Sequence, residues 1–341
     1  MFYFAFCCVA LLGLFGIKKK WAQRTVHSYQ VWKFRDKRQP YPQHIEPSLT
    51  ISSVDGYAVW EEPDRGKGML LQIGKSGKRD STVTGVWWLD ENLFIAAHRN
   101  GCRIAIFDKR SMDEPIWKMP VDHLSDDIAT KQTGPNRWEV LVSGCWACVY
   151  TKIELTRSNE TGFSGTVIEV LEHEQRDFCH GVAYDPAGQQ CYSIHTGLDP
   201  RIAIGSQVTR LPAPWGARDI CFDAKRDRYL AVAVSSNPKR RSYSEVTGSL
   251  WTLAKGASEW SCLGVYPGVH SDALDVLGDE IWMPDQSKNS VLAVDASTGE
   301  MRTAYDGDAV DFPHGIAVSP VGDIALTNYG SSSVTVFKAT G

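Results

Sequence analysis

A chain of 341 residues that is 43% hydrophobic has ample material for one packed core. Its net charge of -4 hides an asymmetry: residues 1–40 hold eight Lys or Arg and one Asp, so the remainder carries -11. That acidic remainder repels phosphate, and its only dense basic run is Lys239-Arg240-Arg241, which excludes nucleic acid as an expected partner.

In chain order, the first element is an uncharged apolar run, MFYFAFCCVALLGLFGI, followed at once by Lys18-Lys19-Lys20-Trp21. As a helix at ~1.5 Å per residue it spans about 26 Å, which lysine snorkelling and an interfacial tryptophan extend toward a hydrocarbon core of ~30 Å. Residues 1–21 are therefore expected to form a single-pass membrane-anchor helix. A cleaved signal peptide is the rival reading, but it places positive charge before the apolar run, and here three lysines occupy the cleavage region. The basic segment 22–45 puts that side of the membrane, and the domain that follows, in the cytoplasm by the positive-inside rule; the alternative is an extracytoplasmic or secreted domain.

From residue 46 to residue 341 one unit recurs: an apolar strand A, a tight turn, a second apolar strand B, then a third strand ending near an acidic residue. Clear copies begin at His180 (HGVAYDPAGQQCYSIH), His270 (HSDALDVLGDEIWMPD) and His314 (HGIAVSPVGDIALTN). Strand A is read to start near Leu49, Thr84, Asp126, His180, Arg218, Ser271 and His314, and its turns carry Asp55-Gly56, Pro186-Ala187-Gly188, Gly278-Asp279 and Val321-Gly322. Strands such as Tyr229-Leu230-Ala231-Val232-Ala233-Val234 are apolar on both faces, as strands buried between neighbouring sheets must be. Repetition at this length predicts an all-β, seven-bladed β-propeller; a six-bladed ring with residues 46–80 as an irregular lid is the alternative count. The last blade runs short of one strand, and Val26–Phe34 (VHSYQVWKF) is expected to supply it and close the ring.

The wider spacings are expected to be polar loops at Ser158–Gly165 and Asn237–Gly248. Seven cysteines lie in the propeller, most of them inside strands (Cys102, Cys148, Cys191, Cys221, Cys262), where cysteine is usually a small buried hydrophobe. Cys145-Trp146-Ala147-Cys148 has the spacing of a redox or zinc pair but sits at a hairpin rather than a helix N-terminus. The sequon Asn159-Glu160-Thr161 is usable only if the domain faces a secretory lumen.

In a propeller, strand A starts and strand B ends on one face of the ring, around the mouth of the central channel. The strand-B ends read as Glu61, His98, Gly144, His195, Ser235, Asp285 and Asn328. A mouth this rich in ionisable groups is the default ligand site, with Asp126, His180, Arg218, His314, His98 and His195 as its candidate ligand residues. Two metals fit different subsets. Glu61, Asp285 and Asn328 offer the hard oxygens of a calcium site, and the four histidines offer imidazoles for zinc or for acid–base work.

The segment 314–328 resembles an NHL repeat, approximately P-x-G-I-A-V-D-x-x-G-x-I-Y-V-x-D, and Cys179-His180-Gly181-Val182-Ala183-Tyr184-Asp185-Pro186 is a second partial match. The resemblance covers about two blades well and implies the fold rather than an activity. The broader group includes protein- and RNA-binding modules, peptidyl-hydroxyglycine lyases, and the gluconolactonase and paraoxonase propellers that bind calcium through Glu, Asn and Asp at the channel. By that likeness Glu61, Asp285 and Asn328 would play the calcium role. Ser271-Asp272, where a repeat glycine is usual, and Gly144, with no side chain at its mouth position, depart from the pattern. The expectation is a membrane-anchored propeller that binds a protein partner or small molecule at its channel face, acting as a ligand-binding or scaffolding module. The alternative is a calcium- or zinc-dependent hydrolase of the lactonase type.

Overall fold

The computed structural model describes residues 51–59 and 83–339, apart from 100, 113, 145–148, 173–177, 196–199, 214–215, 236–245 and 332. Among these residues all regular structure is β, arranged as six four-stranded antiparallel sheets. Blade one comprises β2 (Val83–Trp88), β3 (Leu93–His98), β4 (Arg103–Asp108) and β5 (Trp117–Pro120). Blade two comprises β6 (Ser125–Gly134), β7 (Arg137–Gly144), β8 (Val149–Ser158) and β9 (Gly162–Glu172). Blade three runs through β10 (Phe178–Tyr184), β11 (Gln190–His195), β12 (Arg201–Ile204) and β13 (Gln207–Arg210). Blade four holds β14 (Ala217–Asp223), β15 (Arg228–Ser235), β16 (Thr247–Ala254) and β17 (Ser261–Pro267). Blade five holds β18 (Asp275–Leu277), β19 (Glu280–Asp285), β20 (Ser290–Asp295) and β21 (Met301–Tyr305). Blade six has β22 (Pro313–Val318), β23 (Ile324–Asn328) and β24 (Ser333–Ala339), and its fourth strand is β1 (Ile51–Val59).

The ring therefore has six blades, not seven. Residues 51–59, read as the first hairpin, form one strand antiparallel to β24, with Ile51 opposite Ala339 and Val59 opposite Ser333. The expected Asp55-Gly56 turn lies inside that strand, where the register shifts between Val54 and Gly56. An Asp-Gly pair marks a bulge here as well as it marks a turn, and only the long-range pairing decides which. Closure by an N-terminal strand is present, but 51–59 holds the seat expected for Val26–Phe34, a segment outside the described residues. The anchor assigned to residues 1–21 also lies outside them; among the described residues no helix is long and apolar enough to cross a membrane. The loop expected over 158–165 is instead a tight turn inside the long β8–β9 hairpin, which pairs from Val149–Glu172 to Ser158–Gly162.

Each blade-to-blade interface has its own apolar core. Ile95, Ile104 and Ile106 meet Ile128, Val140 and Ile153 between blades one and two, while Leu230, Val232 and Leu250 meet Ile281, Met283 and Leu292 between blades four and five. The last interface closes the circle: Val86, Phe94 and Phe107 pack on Ala317, Ala325 and Val336, and Trp88 Nε1 donates to the Ala317 carbonyl at 3.1 Å. Burying side chains of this size stabilises the fold by about 1.5–3 kcal/mol each. Of the cysteines expected in strands, Cys191 and Cys221 are buried on β11 and β14, Cys102 is buried but lies in the turn before β4 rather than in a strand, and Cys262 is exposed on β17.

Polar rivets fix the inner strands to one another. Asp127 of blade two accepts the Val182 N–H of blade three at 2.9 Å, and Asp219 of blade four accepts the Leu274 N–H ahead of β18 at 2.9 Å. Asp275 of blade five accepts the Val318 N–H of blade six at 2.7 Å. Hydroxyls near the ends of B strands do the converse. Ser143 Oγ donates to the His180 carbonyl, Ser193 Oγ to the Arg218 carbonyl at 2.7 Å, and Thr327 Oγ1 to the Thr84 carbonyl. The hydroxyl rivets hold the carbonyls of His180, Arg218 and Thr84, residues at the channel mouth, so the fold's own inter-blade bonding helps set the position of the site.

Candidate functional site at the channel mouth

The strand-B ends fall where the repeat places them: β3 ends at His98, β7 at Gly144, β11 at His195, β15 at Ser235, β19 at Asp285 and β23 at Asn328. Glu61 lies outside the described residues. On the strand-A side, Thr84, Asp126, His180, Arg218 and His314 all sit within the first three residues of β2, β6, β10, β14 and β22, whereas Ser271 precedes β18 by four residues.

Six charged or ionisable side chains converge over the channel, one from each blade. Asp126 Oδ1 pairs with Arg99 Nη1 at 2.7 Å, and its Oδ2 lies 3.1 Å from His180 Nε2. Asp272 Oδ1 lies 3.4 Å from Arg218 Nε, and Oδ2 lies 3.6 Å from His314 Nε2. The cross-distances are close to equal, with His314 Nε2 to Asp126 Oδ1 at 3.9 Å and His180 Nε2 to Asp272 Oδ1 at 4.0 Å. The two imidazoles stack with centroids 5.3 Å apart and planes 12° apart. Blades one, two and three thus contribute Arg, Asp and His, and blades four, five and six contribute Arg, Asp and His again. In a six-membered ring, like groups stand opposite one another, and the cluster has an approximate twofold axis along the channel.

Electrostatics follow from this packing. Burial would raise the Asp126 carboxyl, but Arg99, then His180 and His314, outweigh it and hold it below the usual carboxylate range. Asp272 lies well below that range, because Arg218 and His270 outweigh the same burial. Burial pushes both imidazoles down, His314 to about 4, although Asp126 and Asp272 pull the other way. The result is two carboxylates, two guanidiniums and two neutral imidazoles.

Asp126, His180 and His314 are the one group of three metal-capable side chains among the described residues, with ligand atoms all within 4.8 Å of one another and each residue buried. The donor set fits a borderline cation. Zinc bonds of about 2.0–2.1 Å place neighbouring tetrahedral donors about 3.3 Å apart, against 3.1 Å from Asp126 to His180 and 3.9 Å from Asp126 to His314 here. Neither Asp126 oxygen, nor His180 Nδ1, has a well-directed hydrogen-bond partner among the described residues. By contrast, Asp272 is engaged by His270 Nε2 at 3.2 Å and by Gln286 Nε2 at 2.7 Å.

Several candidates have other tasks. Asn328 is spent on its loops: Oδ1 accepts the Asp311 N–H, and Nδ2 donates to Ala309 O, Ser333 Oγ and Thr335 Oγ1 at 2.9–3.2 Å. Asp285 Oδ1 accepts the N–H groups of His270 and Ser287, which fixes the start of the His270–Asp272 segment, and burial raises its carboxyl to about 6. Of the three residues read as a calcium set, Asp285 and Asn328 therefore brace loops, and the metal-capable group among the described residues lies on Asp126 and two histidines. His98 stacks on Phe107 at 6.5 Å within blade one, and burial holds its imidazole well below the ordinary range. Of His195 only the backbone, at the end of β11, is described. At Gly144 an added Cβ would meet the His123 ring at 2.8 Å, so a neighbouring imidazole fills that place and bonds to Thr151 Oγ1.

The alignment missed Arg99, His270, Asp272 and Gln286. Each is one residue from a position it selected, beside His98, Ser271 or Asp285, where the chain leaves the regular strand and the repeat no longer fixes side-chain direction.

No protein-family model matches the sequence, and no curated protein sequence matches it. Solved structures match in fold. A gluconolactonase from Xanthomonas campestris shares 9% identity over 87% of this chain and 100% of its own, with a TM-score of 0.57. The PQQ-bound aldose sugar dehydrogenase of Streptomyces coelicolor shares 10% identity over 84% of this chain and 98% of its own, at 0.56. A chain of the nidogen/laminin complex shares 14% identity over 70% and 84%, at 0.53. The chain is thus a β-propeller with a fold-level resemblance to the NHL, nidogen and gluconolactonase propellers. At these identities the likeness is one of architecture.

Proposed function

We propose that this chain binds a small ligand at the channel mouth of its propeller, and that a divalent cation of the zinc class, held by Asp126, His180 and His314, centres that site. The observation that carries the reading is the convergence of one buried carboxylate and two buried imidazoles from blades two, three and six, their ligand atoms all within 4.8 Å of one another. Mixed nitrogen and oxygen donors favour zinc, nickel or iron over calcium, which takes oxygens. Such an ion supplies Lewis acidity toward a carbonyl and acidifies a bound water. Hydrolysis of an ester or lactone is the second reading, favoured by the 3.1 Å approach of Asp126 to His180, which orients an imidazole for proton transfer.

The membrane role belongs to the same proposal: residues 1–21 anchor the chain and the propeller faces the cytoplasm. The support is the apolar run followed by three lysines. The test of function is a zinc titration of the full-length chain beside Asp126→Asn and His314→Gln. One-to-one binding that both variants lose supports the site. Lack of stoichiometric zinc, nickel or iron binding in the folded wild type would overturn it and leave the channel face as a protein-docking surface.

A further inference from the structure

We propose that the ligand received by this site is a small anion of the carboxylate class, admitted past Arg218 and balancing the charge of the cation. The inference rests on the metal reading above and deepens it.

It follows from charge and access. Asp126 and Asp272 are each paired with a guanidinium, Arg99 at 2.7 Å and Arg218 at 3.4 Å, so the four groups cancel. Imidazoles that ligate a metal are neutral by necessity. A divalent ion among them therefore leaves two uncompensated positive charges in a buried site, which is costly unless an anion shares it. A site built only to hold a dication would omit the arginines, since both oppose its binding. Access points the same way. The side chains of Asp126, His180, His314 and Arg99 are 0–6% exposed, whereas those of Arg218 and His270 are 19% and 13% exposed and form the open edge. An entering molecule first meets a guanidinium and an imidazole, the donors that recognise a carboxylate.

Linkage makes this measurable, because an anion that binds beside the metal must tighten the metal by the same factor. Zinc is titrated into the full-length chain at neutral pH, with free zinc set by a competing chelator, in the presence of acetate or of its neutral isostere acetamide. Acetate is expected to lower the zinc Kd by about tenfold, equivalent to ~1.4 kcal/mol, and acetamide to leave it unchanged. Arg218→Gln removes one opposing charge, so it should bind zinc more tightly without acetate and show a smaller acetate effect. Arg218→Lys keeps the charge and should keep most of the effect, and both variants are checked for native circular dichroism. Zinc binding that ignores acetate overturns this inference alone. Failure to bind zinc with or without acetate overturns the metal reading beneath it.

Discussion

Asp126 carries two burdens, as the carboxylate beside His180 and His314 and as the counterion of a buried arginine. Replacing it with asparagine keeps the shape but removes the charge that pairs with the Arg99 guanidinium, 5% exposed, at 2.7 Å. Breaking a buried pair from one side costs about 3–5 kcal/mol, whereas replacing both partners with apolar groups is often neutral. Asp126→Asn should therefore lower the urea midpoint sharply, and Asp126→Leu with Arg99→Met should recover most of the loss. If the double variant is no more stable than the single one, the ion pair is not the reason for the cost. A glycine makes the complementary case. At Gly181 an added Cβ would overlap the Asp219 carboxylate and Cα and lie 2.9 Å from the Arg218 carbonyl, so the backbones of blades three and four approach only because that side chain is missing. Gly181→Ala should destabilise by about 1–3 kcal/mol through overpacking. At Gly134 the nearest atoms to an added Cβ lie at 3.9 Å, and Gly134→Ala should stay within about 0.5 kcal/mol in the same denaturation experiment.

At the scale of the element, the strand-to-strand rivets contain a pH dependence. Asp127 and Asp219 face each other across β10, each accepting a backbone N–H from the next blade. Burial raises both, Asp127 to about 7 and Asp219 well above the carboxylate range; the charge of Asp126 adds to the first and that of Asp127 to the second, while a hydrogen bond with Asp219 offsets part of the rise at Asp127. A carboxyl whose folded value is raised contributes stability below its unfolded value near 3.8, and that contribution is lost as pH rises through about 7. Asparagine stands in for the protonated acid at every pH. Asp127→Asn should thus gain stability relative to wild type as pH rises from 5 to 8, and a difference that stays flat across that range would exclude a proton held between blades. None of this was legible in the sequence, because Asp127 is one residue past the mouth position Asp126 and its partner is a backbone group in another blade. What was legible is the hairpin. The ends of β3, β7, β11, β15, β19 and β23 are set by turn chemistry and apolar alternation, both local. Asp272 was read as a departure from the repeat glycine, and that departure is what brings a second carboxylate to His314. The pairing of Arg99 with Asp126 and of Arg218 with Asp272 joins neighbouring blades, and no spacing along the chain encodes it.

For the whole molecule the decisive contact is the one between its two ends. Blade six has its fourth strand only while β1 pairs with β24, and the β1–β24 ladder is the longest-range pairing in the fold, joining Ile51 to Ala339. Such a pairing must be made after the intervening chain is ordered, so it forms late and, if lost, exposes β24 along its length. Blade six also carries His314, and its β22 and β23 pack on β2 of blade one through Val86, Ala317 and the Thr327–Thr84 bond, so opening the closure releases one wall of the site. Removing residues 1–45 should leave cooperative unfolding and zinc affinity as in the full chain, because every described strand remains. Removing residues 1–60 should abolish zinc binding and yield oligomers in size-exclusion chromatography, as the bared edge of β24 seeks another strand. A proline at Tyr57, paired with Thr335 in the ladder, tests the same point without shortening the chain. A monomeric 61–341 fragment that unfolds cooperatively at the full-length midpoint would show that closure is dispensable, and the six-bladed ring would then be held by its inner strands and inter-blade cores.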